Sequence, residues 1–225
     1  MYKTVTHKTT EEHYINGVLV KPTMIGDSLP TVVINERTMN FRMDNRTLWT
    51  RYSLGMINFS VALYGGMVNS DNVLENLKKA GQACGDYFIP YYGFNAAKKI
   101  GSLLIVIAIN GSKVAEALKA KRDIAAFETI WDKQINELAT YLNELNPQHW
   151  PKDTLDEMFI NLTALWVDDF RARLAEDFVA DSIALDTIIK IAVAGIPNHI
   201  NKGYTSIADM ISKGIIAQSP MSFAE

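Results

Sequence analysis

Cysteine is almost missing from this chain, Cys84 being the only one. An intramolecular disulfide and a thiolate zinc site are therefore excluded, and the composition suits a reducing compartment. By itself Cys84 reads as a small buried hydrophobe. Histidine is nearly as scarce. None of His7, His13, His149 and His199 stands three residues after a carboxylate, so the Glu-x-x-His pairs of a di-iron helical bundle are absent. No metal and no cofactor is expected.

Excess charge of one sign is lacking too. A net charge of -3 offers no strongly basic face for phosphates, so nucleic acid is not an expected partner. The start of the chain is polar and threonine-rich, without the apolar core of a secretion signal. The longest apolar run, residues 103–109, falls short of the ~20 residues of a membrane span. These absences lead to the expectation of a soluble, cytoplasmic protein, or a virion protein if the source is viral. Asn45, Asn58, Asn110 and Asn161 each begin a glycosylation sequon, but without an export route these are chance matches. Gly-x-Gly-x-x-Gly, Gly-x-x-x-x-Gly-Lys-Ser/Thr and Gly-x-Ser-x-Gly are all missing, which removes the usual sequence signs of dinucleotide binding, phosphate binding and serine hydrolysis.

What is present is helical periodicity. With 48% hydrophobic residues, 225 residues can bury roughly 70% of their unfolded surface, enough for one core. Residues 1–43 read differently from the rest, as a β-prone arm. Asn16-Gly17 sits between short β-prone stretches and fits a two-residue hairpin turn. Thr31 to Asn35 reads as another strand, extended by Thr38 to Arg42. Such an arm must pack on the helices or pair with another subunit.

From Asp44 to the end, a helical-bundle domain over 44–225, the apolar period becomes 3.6. Asp44 or Asn45 can cap a helix whose stripe is Leu48, Trp49, Tyr52, Met56, Phe59 and Leu63. A second helix starts at Ser70 or Asp71 and stops before Pro90. Its Gly81 and Gly85, one turn apart, suit close approach of a neighbour or fraying at a helix end. Residues 103–109, followed by Asn110-Gly111-Ser112, imitate the strand and turn of a nucleotide-binding unit. The missing glycine loop and the lack of recurring strands favour one buried central helix, kinked at Gly111. Helices then follow from Asp123 to Leu145, from Lys152 or Asp153 to Leu174, from Val179 to Ile196, and from Ser206 to Ala217. The expected class is all-α, a bundle of four principal helices with one or two shorter ones.

Four groups of residues recur in a familiar order: Leu48-Trp49-Thr50-Arg51; Pro90-Tyr91-Tyr92-Gly93; Leu145-Asn146-Pro147 with Trp150; and Ala208-Asp209-Met210 with Gly214, Ile215, Gln218 and Pro220. From about residue 48 to 220 the chain resembles an uncharacterised bacterial family of small all-helical proteins. The resemblance implies a helical fold and transfers no activity. Where relatives place histidines and a glutamate on core-facing turns, this chain has residues 103–110 and 161–163 without histidine, so no metal role carries over.

Three functional readings follow. The first is a non-enzymatic structural or interaction protein, self-associating through the N-terminal arm as a homo-oligomer. The second is a small-molecule binder with a pocket at Trp49, Arg51, Tyr91 and Tyr92, where two tyrosines beside a proline and a glycine line an edge and Arg51 meets an anion. In the competing view the tyrosines form a packed corner and Arg51 pairs with Asp86 or Asp209. The third is an enzyme using the carboxylates Asp168, Asp169, Asp177 and Asp181, beside Arg171, Arg173 and Glu176. A solvated helix end with surface ion pairs explains the same cluster, and Asp177 and Asp181, one turn apart, can also share a cation or fix an arginine across the bundle.

Overall fold

The helices form where apolar residues recur at spacings of three and four, and tertiary contacts extend them beyond the stretches legible on paper. A computed structural model describes residues 13–15, 18–20, 36–67, 69–194, 196–197 and 204–218. Among these, α1 spans Glu36–Tyr64, α2 Ser70–Asp86, α3 Ile89–Lys119, α4 Ala125–Leu145 and α5 Lys152–Leu174. Two shorter helices follow, α6 over Phe178–Ile189 and α7 over Ile207–Gln218, with a π-helical turn at Lys190–Ala194 after α6. The all-α class holds, but the frame has five long helices rather than four.

The chain separates into two units, residues 1–33 and 34–225. In the first, β1 (His13–Ile15) and β2 (Val18–Val20) pair antiparallel with His13 opposite Val20. The Asn16-Gly17 turn and the strand expected over residues 31–35 lie outside the described residues. In the second unit, a two-residue antiparallel ladder joins β3 (Ile196–Pro197) to β4 (Tyr204–Thr205).

Residues 38–42, expected to extend a strand, are helical instead. Thr38, Phe41, Asn45, Trp49 and Tyr52 make one buried stripe along α1. The polar Asn45 interrupts that stripe on paper, which is why the helix seemed to start there. Rather than capping α1, Asn45 is buried and donates through Nδ2 to the Ala208 carbonyl at 2.7 Å and to Ser212 Oγ at 2.8 Å. Phe41 stacks on Tyr87 at 4.8 Å between ring centroids, giving the first turns of α1 an apolar partner.

Residues 103–109 lie in the middle of α3, not in a sheet. By length and composition α3 could cross a membrane, with a mean hydropathy of 1.5, yet 67% of that window is buried inside the protein. It packs against α2 and α4, and also meets α1 and α5. Tyr52 on α1 donates to the Leu104 carbonyl at 2.7 Å and Tyr64 to the Ala115 carbonyl at 3.1 Å, tying α1 along its length. The break in α3 is at Gly93, with φ 79° and ψ 170°, not at Gly111. Only glycine enters that region at low cost. Gly111 is instead a packing site, since a Cβ there would lie 2.5 Å from Met56 Cε and 2.7 Å from Trp131 Cζ2.

Between the expectations for Gly81 and Gly85, close approach is the outcome. A Cβ on Gly85 would meet the backbone of Gly101 at 2.5 Å and the Ala97 carbonyl oxygen at 2.7 Å, so α2 and α3 touch backbone to backbone. At Gly81 the neighbours are the Leu104 and Tyr52 side chains and the Ile105 amide, at 3.2–3.4 Å. Gly85→Ala should therefore destabilise by about 1–3 kcal/mol despite the roughly 1 kcal/mol gain in helix propensity, whereas Gly81→Ala should stay near neutral. Thermal unfolding of the two variants compares them directly; equal melting temperatures would show that α2 and α3 do not meet at Gly85.

Candidate functional site

The four residues expected to line one pocket are dispersed. Trp49 is 2% exposed and packs against Tyr52 and Phe159 in the core. Arg51 stands at the surface on a hollow of about 490 Å³ with Leu54, Asn58, Val73 and Asn76. Tyr91 lines a separate hollow of about 500 Å³ with Glu36, Arg37, Asn40 and Asp44. Both carboxylates anticipated for Arg51 are engaged elsewhere. Asp209 pairs with Arg46, Nη2 to Oδ2 at 3.0 Å, and Asp86 accepts from Gln82 at 2.7 Å.

Tyr92 belongs to a knot that sequence spacing could not assemble. Its hydroxyl donates to Gln218 Oε1, and Asn146 Nδ2 donates both to that hydroxyl, at 3.2 Å, and to the Gly214 carbonyl, at 3.1 Å. Trp150 donates through Nε1 to the Met210 carbonyl at 3.0 Å and faces Phe88 and Tyr92 with its ring. A Cβ on Gly214 would fall 2.2 Å from Trp150 Nε1, so glycine is what lets the indole lie on α7. Three of the residue groups that carry the resemblance thus meet at the end of the bundle where α7 docks. Polar atoms of these groups are engaged with one another. Burial pushes the Tyr92 hydroxyl up to about 12, keeping it protonated as a donor.

The carboxylate cluster divides. Asp168 and Asp177 line a hollow of about 480 Å³ between α5 and α6, together with Leu165, Arg171, Ala172 and Ile183. Asp177 caps α6, accepting from the Ala180 amide at 3.0 Å. Asp169 is fully buried and accepts from Ser60 Oγ at 3.2 Å, from Arg173 Nε at 3.1 Å and from Arg173 Nη2 at 3.1 Å. The same Arg173 reaches Asp181 on α6 at 2.7 Å. The arginine anticipated to be fixed here is thus fixed, by Asp169 and Asp181 rather than by Asp177 and Asp181. Asp169, Asp181 and Arg173 together carry one surplus negative charge in a buried setting. Burial, then the neighbouring Asp181, pushes the Asp169 carboxyl up to about 6, against the opposing pull of Arg173.

Other reactive groups are muted. Cys84 is buried, and its thiol is pushed up to about 12, so little thiolate exists near neutrality. Among the described residues no three His, Cys, Asp or Glu side chains converge as a metal requires. Sequence reasoning overlooked the outer side of α6, where Phe178 is 74%, Val179 73% and Ile183 62% exposed. Their 3.6-type spacing resembled a core stripe, and nothing local distinguishes an outward stripe from an inward one. No family model, no curated protein and no solved structure matches this chain.

Because the folded pKa of Asp169 lies above its unfolded value near 3.8, the folded state holds this proton more tightly. The contribution is complete below about pH 4 and fades as pH rises through about 6. Ser60 and Tyr64 on α1, Arg173 on α5 and Asp181 on α6 surround the group. Lowering the pH from 7 to 5 should therefore strengthen this site by about 1–2 kcal/mol, and Asp169→Asn should remove that difference when melting temperature is followed against pH. Arg173→Met should cost about 3–5 kcal/mol, because it leaves buried carboxylates without their cation. A neutral Arg173→Met would mean that the cluster is solvated.

Proposed function

We propose that this chain is a non-enzymatic interaction protein, a soluble helical body that presents an apolar helix face to another macromolecule. The supporting observation is the exposure of Phe178, Val179 and Ile183 on neighbouring turns of α6, beside the partly apolar hollow formed with α5. Single exposed apolar residues are ordinary, but adjacent ones rimmed by charge mark contact sites. The inner side of the same helix is already occupied, with Ala184 and Ile188 buried and Asp181 held by Arg173. The face is therefore surplus to the fold of the second unit.

Three of the four carboxylates that an enzyme reading would use have structural tasks, while Asp168 lines the open hollow between α5 and α6. Asp169 and Asp181 hold Arg173, and Asp177 caps a helix. The N-terminal arm remains the other contact segment suggested by the sequence, although residues 36–43 of it belong to α1.

Replacing Phe178, Val179 and Ile183 together by serine should leave the melting temperature within about 2–4 °C of the parent, as surface substitutions do, while reducing the binding of a hydrophobic fluorescent dye. A fall of ten degrees or more would place these side chains within the fold and defeat the reading.

A further inference from the structure

We infer that the partner for the α6 face is a second copy of this chain, docked about a two-fold axis with the two α6 helices antiparallel. This rests on the interaction reading above and names its partner.

The arrangement of charge along α6 supports a self-complementary contact. Phe178, Val179, Ser182, Ile183, Asp186 and Lys190 are all exposed, and positions 179, 183, 186 and 190 recur at helical spacing on one side. Before the helix stand Glu176 and Asp177, both exposed, and at its far end stands Lys190, 52% exposed in its side chain, which pairs within its own helix with Asp186 at 2.5 Å and would have to turn from it or share it to meet a partner. Two copies crossing antiparallel near Ile183 bring each Lys190 beside Glu176 of the partner subunit, and their helix dipoles oppose. Parallel copies would set lysine against lysine and glutamate against glutamate. The antiparallel arrangement is thus the one in which this surface complements itself, as an isologous interface requires.

An apolar hollow adjoins this face. The hollow between α5 and α6, about 480 Å³, is lined by Leu165, Ala172 and Ala175 together with Asp168 and Arg171. Phe178, the most exposed large apolar side chain among the described residues, stands on the same helix as one wall of that hollow. A face only about 18 Å long, from 12 residues of α6, is small beside the roughly 800 Å² per partner of a typical stable complex. A dimer that dissociates on dilution is therefore expected.

Sedimentation velocity on the full chain from about 1 to 200 µM spans that range of affinity. The wild type should shift from monomer to dimer with concentration, and Phe178→Asp should remain monomeric at an unchanged melting temperature. Lys190→Glu and Glu176→Lys should each weaken self-association about tenfold or more, since each sets like charges together. Mixing these two variants should restore the dimer, because a heterodimer regains both opposite-charge contacts. Failure of the mixture to restore association, with each single variant weakened, overturns the antiparallel arrangement. A wild type that stays monomeric throughout overturns the inference. If that monomer still binds hydrophobic dye at α6, the interaction reading survives with a different partner. If it binds none, the face is already covered within the chain, and both proposals fail.

Discussion

A helix as apolar as α3 persists in water only when other helices enclose it, and the fold is organised around that requirement. Its buried residues run from Ala96 to Ala117 and include Ile100, Leu104, Ile107, Ala108 and Val114. α1, α2, α4 and α5 all lie against it. Enclosure from several sides needs close contact, which Gly85 and Gly101 supply where α2 meets α3 backbone to backbone. The same demand places Gly111 under Met56 and Trp131. Small residues at these points are therefore conditions for the enclosure rather than sources of flexibility.

Several polar groups buried by that enclosure have partners chosen by position, whereas Ser53 Oγ, Trp131 Nε1 and Trp166 Nε1 are buried without a hydrogen-bond partner. Asn45 holds α7 through Ala208 and Ser212, Trp150 and Asn146 hold it through Met210 and Gly214, and Arg173 joins α5 to α6 between two carboxylates. Each is a long-range link that fixes which helix lies beside which, because an unpaired group at such a site is costly. The apolar residues Phe178, Val179 and Ile183 of α6 stand outside that network.

Much of the helical content was legible in the sequence, for a local reason. Leu74, Leu77 and Cys84 in α2, or Trp131, Ile135, Leu138 and Leu142 in α4, repeat at the pitch of a helix, and Pro90 and Asn146-Pro147 interrupt it. The start of α1 was not legible, because its stripe passes through Asn45, whose burial depends on α7 far along the chain. Nor could spacing show that Trp49 lies inside while Arg51 lies on one hollow and Tyr91 on another. Position along a helix gives an angle around its axis, not the identity of the neighbour on that side.

By itself the sequence determined that the chain forms helices, that residues 103–109 need cover, and that a disulfide within the chain is impossible. These follow from residue type and local period alone. Tertiary structure decided which apolar faces are inward: the stripe of α4 is buried at Trp131, Ile135, Leu138 and Leu142, whereas Phe178, Val179 and Ile183 on α6 face outward. It also decided that Asp169 and Asp181 share one arginine while Asp168 and Asp177 do not. Burial and charge pairing depend on residues distant in sequence and adjacent in space, and that adjacency exists only after the helices have packed.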